Sequence, residues 1–297
     1  MAKSGVIILN KEKGMTSHTA VRRVSALLGA DKAGHTGTLD PMAEGVLPVL
    51  INRGVKASEF MLSEDKYYRA TLTLGLTTDT EDSSGNVLTV ATELPSEDAV
   101  LSAIQSFVGK IKQTPPMYSA LKVGGKKLCD LARMGVTVER EPRKITVYSI
   151  DAVRIDEKSY TLDVHCSGGT YIRTLCADIG AALGVGGIMS SLLRTEASGF
   201  FLNEAHTLAE IEAMSAEQRE ALIYPVEHIF RELPQLKLPE FFARLAKSGL
   251  EIYIKKIGLS ANLGDRFLMY DEGGVFFALG EAREFENGIA VKPIRQF

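Results

Sequence analysis

Fourteen residues, GHTGTLDPMAEGVL from Gly34 to Leu47, constrain this chain more than any other stretch. Gly34 and Gly37 bracket His35, so the backbone there has access to turns closed to other residues. Pro41 fixes the chain after Asp40 and biases Asp40 away from helix. An apolar run follows, VLPVLI from Val46 to Ile51, short enough for a buried strand. The pattern predicts an acid on a rigid loop at the mouth of the core, a common setting for a catalytic carboxylate. A turn aspartate capping its own backbone fits the same residues. Residue chemistry leaves both readings open.

Composition narrows the class. A chain of 297 residues suits one large domain and a small one. The hydrophobic and charged fractions, 45% and 24%, are ordinary for a soluble globular protein. No apolar run approaches the ~20 residues a membrane span needs. The first residues show no apolar core with a small-residue cleavage site, so a cytoplasmic protein is expected. Cys129, Cys166 and Cys176 lack CxxC spacing and read as reduced thiols. Scattered histidines and cysteines predict no zinc site.

A net charge of −3 does not point to a nucleic-acid binder, but its distribution does. Between Lys110 and Lys144 stand nine Lys and Arg against three acids. Residues 75–100 hold six acids and no base. A basic segment on an acidic body is expected where one face meets phosphate; a solvated loop is the plainer alternative.

Local patterns predict a strand at Val6–Leu9, then a helix capped by Thr16 or Ser17 and ended by Gly29. Alternation over Tyr68–Leu74 predicts a half-buried strand. Ser96 is expected to cap a helix running to Gly109, with Val100, Ile104, Phe107 and Val108 on one face. Residues 111–127 suit a mobile loop, and Leu128–Met134 a short helix closed by Gly135. Antiparallel strands are expected at Ile145–Ile155 and Tyr160–Cys166, then a helix over Tyr171–Leu183. Elements interleave without regular βαβ units, which predicts an α+β fold on a mixed, largely antiparallel sheet. A boundary is expected near residues 233–239, followed by a small β-barrel.

Six motifs, in order, resemble the TruB family of pseudouridine synthases, the tRNA pseudouridine-55 synthases. They are NKEKGMTS (Asn10–Ser17), the Gly34–Leu47 loop, KYYRATLTLGLTTDT (Lys66–Thr80), QTPPMYSALKVGGKK with LARMGVTVEREPR (Gln113–Arg143), CSGGTYIRTL (Cys166–Leu175) and SSLLRTEASG (Ser190–Gly199). Departures are Glu12 where Pro is usual, Cys129 for an aromatic, Gly168 for Lys and Ile188 for His. The resemblance implies a pseudouridine synthase domain over 1–232, an RNA-gripping insertion at about 110–144, and a PUA-like RNA-binding domain over 233–297. It implies a monomer that takes the T-loop and acceptor stem of tRNA.

The resemblance also assigns roles. Asp40 is the catalytic carboxylate, either a nucleophile or a base on the sugar. Arg173 is its cation, and Tyr68, rather than Tyr67, stacks on uracil. His35 sits near the flipped nucleotide, and Lys13 near the catalytic loop. Leu192, read as a helix residue, lines the uracil pocket. Lys122, Lys126 and Lys127 grip RNA. Isomerising uridine exchanges no electrons and loses no group, so no cofactor or metal is expected. Rival readings are an RNA-guided ribosomal-RNA synthase and a non-catalytic RNA-binding or RNA-folding protein. A glycoside hydrolase is remote, for no second acid stands in a paired motif.

Overall fold

A computed structural model of the protein describes residues 3–62 and 65–297. The first strand, β1 (Gly5–Lys11), leads into α1 (Ser17–Leu28). Thr16 caps this helix, its Oγ1 accepting from Thr19 N at 3.1 Å, and Gly29 ends it in the left-handed region at φ 59°. Next come β2 (Ala33–His35), β3 (Glu44–Ile51), the single turn α2 (Ser58–Met61) and β4 (Lys66–Leu74). Residues 66, 68, 70, 72 and 74 of β4 are buried, as the predicted alternation requires.

A side hairpin of β5 (Leu76–Thr78) and β6 (Val87–Val90) precedes α3 (Glu97–Gln105). Ser96 caps α3, and Val100 and Ile104 face the core. This helix stops short of the expected Gly109, and Val108 is exposed. Gly109 instead opens β7 (Gly109–Gln113).

The segment expected as a loop therefore carries regular structure. Strand β7 is an edge of the main sheet, its lysines turned out and Gln113 turned in. The GKIKQ alternation carried that signal, hidden by the prolines after it. Beyond lies a hairpin, β8 (Lys122–Val123) with β9 (Lys126–Lys127), and then α4 (Leu128–Arg133).

Long strands β10 (Arg143–Arg154) and β11 (Ser159–Cys166) pair antiparallel before α5 (Ile172–Ala182). Strand β12 (Gly187–Ala197) is followed by β13 (Phe200–Phe201), α6 (Leu208–Ala213), α7 (Ala216–Ala221) and β14 (Tyr224–Pro225). Leu192 thus lies on a strand, not a helix. Pairing with β4 along nearly its whole length outweighs the helical tendency of its leucines.

The main sheet runs β14-β1-β3-β12-β4-β11-β10-β7, with β2 on β3 and β13 on β12. Only β3 and β12 pair in parallel; every other pair is antiparallel. The principal core lies between one face of this sheet and helices α1, α3, α5 and α6.

The chain then forms β15 (Gln235–Lys237), α8 (Glu240–Lys247), β16 (Ile252–Tyr253), β17 (Arg266–Tyr270), β18 (Phe276–Phe285) and β19 (Gly288–Gln296). Their sheet runs β15-β17-β18-β19-β16, a curled half-barrel consistent with a PUA-like domain rather than a closed barrel. Leu268 and Leu279 pack with Ala57, Val226 and Phe230, joining this sheet to the larger body. Among the described residues, no helix is long and apolar enough to cross a membrane.

Candidate active site

The loop between β2 and β3 carries Asp40, and the opening motif lies beneath it. Ser17 clamps Leu39 at both backbone atoms, donating to Leu39 O at 2.9 Å and accepting from Leu39 N at 2.8 Å. Gly14 N donates to Pro41 O at 2.8 Å. Lys11 is fully buried and donates to Ala43 O at 2.6 Å and Glu12 O at 3.0 Å. Burial pulls its ammonium down to about 8, with Asp40 and Glu44 opposing. The lysine that supports the Asp40 loop is therefore Lys11; Lys13, expected there, is exposed. Two residues along β1 and its turn separate a side chain facing inward from one facing solvent.

Two glycines in this loop have steric reasons. Gly45 has φ +104°, and a Cβ there meets the Arg194 carbonyl at 2.2 Å. Gly37 has φ +75° and lies against the Arg194 guanidinium.

Arg173 reaches Asp40 from the start of α5. Its Nε lies 2.8 Å from Oδ2 and its Nη2 donates to Oδ1 at 3.2 Å, a two-point grip. Further donors are taken up elsewhere: Nη1 donates to Thr80 O at 3.1 Å and Nη2 to Tyr118 O at 2.7 Å. Asp82 stands on the far side, Oδ2 3.7 Å from Nη1. Thr80 Oγ1 and Ser84 N hold Asp82 Oδ1 at 2.7 and 2.9 Å. Arg173 is only 4% exposed, whereas the Asp40 side chain keeps 33% of its surface open. The acid thus has a fixed cation behind it and an open side in front. Burial raises the Asp40 carboxyl above its usual range; Arg173 opposes this and Asp82 adds to it.

Gln113, at the inner end of β7, holds the start of α5. Its Oε1 accepts from Tyr171 N at 2.8 Å and its Nε2 donates to Tyr171 O at 3.0 Å. The insertion is thereby tied to α5 both here and through the Tyr118 carbonyl.

Alternation separates the two tyrosines of β4. Tyr68 faces the core, 8% exposed, and burial raises its phenol. Tyr67 points to the other face and stacks on His165 at 4.0 Å. Leu192 lies on the face of Tyr68, opposite Ala70, in the same core. His35 sits on β2, its Nδ1 buried with no hydrogen-bond partner among the described residues. Burial, then the charges of Arg194 and His18, lowers its imidazole, which favours the neutral form. Lys122, Lys126 and Lys127 are exposed on the β8–β9 hairpin, with Lys122 directly opposite Lys127.

Sequence reasoning missed Lys11, Ser17, Asp82, Gln113 and Arg194. Every one lay inside a quoted motif or next to it. What the motifs lacked was which polar residue of each turns inward. Among the described residues, no group of three or more His, Cys, Asp or Glu is arranged to hold a metal ion.

Known proteins supply the context. Residues 25–172 match a family model described as TruB family pseudouridylate synthase (N terminal domain). Residues 173–231 match one described as tRNA pseudouridylate synthase B C-terminal domain. The tRNA pseudouridine synthase B of Thiobacillus denitrificans is 42% identical over 281 residues, 95% of this chain and 93% of the relative. That of Alkaliphilus oremlandii is 45% identical over 250 residues, 84% and 83% of the two chains. Among solved structures, a chain of a Cbf5-Nop10-Gar1 complex has a TM-score of 0.72 at 28% identity, covering 98% of this chain and 84% of that one. A chain of an H/ACA RNP bound to a substrate RNA containing 2'-deoxyuridine has 0.71 at 26%, covering 99% and 84%. With the fold, the motifs and near-full-length relatives in agreement, this chain belongs to the TruB family of pseudouridylate synthases, an isomerase family.

Proposed function

We propose that this protein converts uridine to pseudouridine at position 55, in the T-loop of tRNA, as a monomer in the cytoplasm. The observation that carries this is the two-point grip of Arg173 on a half-open Asp40, with Tyr68 in the same core. Asp40 ionised in a closed site needs a cation that keeps its proton, and arginine does. Flipping the uridine brings C1' against the carboxylate. The C1'–N1 bond breaks with its electron pair on uracil. Asp40 either adds to C1' or takes the C2' proton. The uracil turns and C5 bonds to C1', as the Asp40–C1' bond breaks in the first case or the proton returns to C2' in the second; the C5 proton leaves and N1 gains one.

The insertion is the RNA clasp in this reading. Placing Lys122 directly opposite Lys127 is unfavourable for a free hairpin. A phosphate between or above them removes that cost and releases counterions. Residues 1–232 form the catalytic domain, and residues 233–297 hold the acceptor stem.

The test uses an unmodified tRNA transcript and the protein without partners, followed by mapping of pseudouridine. Product at position 55, and its loss in Asp40→Asn with tRNA affinity little changed, is expected. The amide keeps the shape but neither attacks carbon nor takes a proton. A variant retaining more than about a hundredth of the wild-type rate removes Asp40 from the essential role. The likeness to Cbf5-containing complexes favours one second reading, an RNA-guided synthase. Activity that appears only with partner proteins selects it.

A further inference from the structure

Arg194 heads the largest fully buried side chains, with no solvent exposure. It lies on β12 directly across from Tyr68 on β4. Its Nε donates to Val46 O at 2.7 Å and its Nη2 to Gly37 O at 3.0 Å. Those two carbonyls stand at the two ends of the loop that carries Asp40. Gly37 crowds the third nitrogen: a Cβ there lies 3.0 Å from Nη1.

Burying a guanidinium is costly unless an acid accompanies it. Among the described residues no carboxylate is paired with Arg194, and its two carbonyl partners are neutral. A strap across the loop ends explains two hydrogen bonds. It does not explain why the strap is charged, because any neutral donor of similar reach suffices for that. The charge has identifiable neighbours. It bears on Tyr68, its cross-strand neighbour, and on His35 and Lys11.

We propose that Arg194 is a positioning residue for the reaction: it straps the Asp40 loop and, from the strand beside Tyr68, orients the phenol and lends positive charge to the pocket in which free uracil sits. This rests on the isomerase reading above. When C1'–N1 breaks, the electron pair stays on uracil and spreads over N1, O2 and O4. That charge is absent in the bound uridine, so a fixed cation nearby favours the transition state over the substrate. Arg194 does not touch uracil. A cation beside the phenol makes it a better donor toward the uracil oxygens. Arg173 cannot serve this end, since its charge is committed to Asp40 and Asp82.

A double-mutant cycle with single-turnover kinetics at saturating tRNA decides the point. Arg194→Gln, which keeps a neutral donor for the loop and removes the charge, is expected to lower the rate on the order of a hundredfold with tRNA affinity nearly unchanged. Introduced into Tyr68→Phe, the same change is expected to cost less than about threefold, because the phenol it acts through is gone. Equal losses in both backgrounds, or a normal rate in the single variant, overturn the proposal. Circular dichroism checks folding. If Arg194→Gln does not fold, nitrogen NMR on Tyr68→Phe replaces it. That variant leaves Arg194 intact, and the Arg194 Nη resonances are expected to shift on loss of the hydroxyl. Unmoved resonances overturn the proposal. Wild-type protein that makes no pseudouridine sinks the isomerase reading, and this inference with it. An active wild type with an Arg194→Gln variant of normal rate sinks this inference alone.

Discussion

Arg173 holds Asp40 by two nitrogens, Nε at 2.8 Å from Oδ2 and Nη2 at 3.2 Å from Oδ1, and donates as well to the Thr80 and Tyr118 carbonyls. The guanidinium is thereby a junction of α5, the β5–β6 hairpin and the insertion. Arg173→Lys keeps the charge but has a single nitrogen for all these partners. A fall in the single-turnover rate of at least about a hundredfold is expected, with tRNA affinity little affected. A lysine variant of near-normal rate means that charge alone suffices.

Replacing Lys122, Lys126 and Lys127 together by Ala is expected to weaken tRNA binding and flatten its dependence on salt. The rate at saturating tRNA is expected to change little, since these residues are exposed on the hairpin. The register adds a finer expectation. Lys122 and Lys127 face each other, while Lys126 opposes Val123, so the Lys122/Lys127 double variant carries most of the loss. Normal tRNA binding by the triple variant at every salt concentration excludes the hairpin as the clasp.

Lys11 has a signature in the pH dependence of stability. Burial lowers its ammonium from 10.5 to about 8. Between those values the unfolded chain binds a proton that the folded chain does not, so stability rises with pH across this window. Below about 8 both states are charged and the desolvation cost is fully present. Urea midpoints of wild type and Lys11→Met, compared from pH 7.5 to 10.5, are expected to move apart in favour of wild type. A constant or shrinking difference contradicts a lowered Lys11.

The cysteines differ in reactivity. Burial pushes Cys166 up to about 11 and Cys176 up to about 12, and neither has solvent exposure. Cys129 is partly exposed on α4. Because the thiolate is the reactive form, a disulfide-exchange reagent at pH 8 is expected to label one thiol in the native protein and three after unfolding. Fast labelling of a second thiol in the native state contradicts the buried placement.

Much of the site follows from local chemistry. The alternation of Lys66–Leu74 sends Tyr68 inward and Tyr67 outward because successive side chains on a strand leave on opposite faces. Thr16 and Gly29 bound α1 through their own cap geometry. The glycines and Pro41 around Asp40 shape its loop. These effects act over a few residues, so they are written into the chain directly. The GKIKQ strand was equally local but was masked by the prolines that follow.

Tertiary structure decided which residues of those motifs meet. Arg173 and Asp40 are 133 residues apart in sequence, and Arg194 and Gly37 are 157 apart. Nothing local sets such distances. The parallel pairing of β3 with β12 and the antiparallel pairing of β12 with β4 bring residues 45, 68 and 194 into one row. That row depends on strand order and register, which the hydrophobic pattern of the whole sheet fixes together. The sequence therefore determined that Asp40 sits on a constrained loop before a buried strand. Only the assembled sheet determined that Lys11 rather than Lys13 supports that loop, and that a buried arginine stands beside Tyr68 on the neighbouring strand.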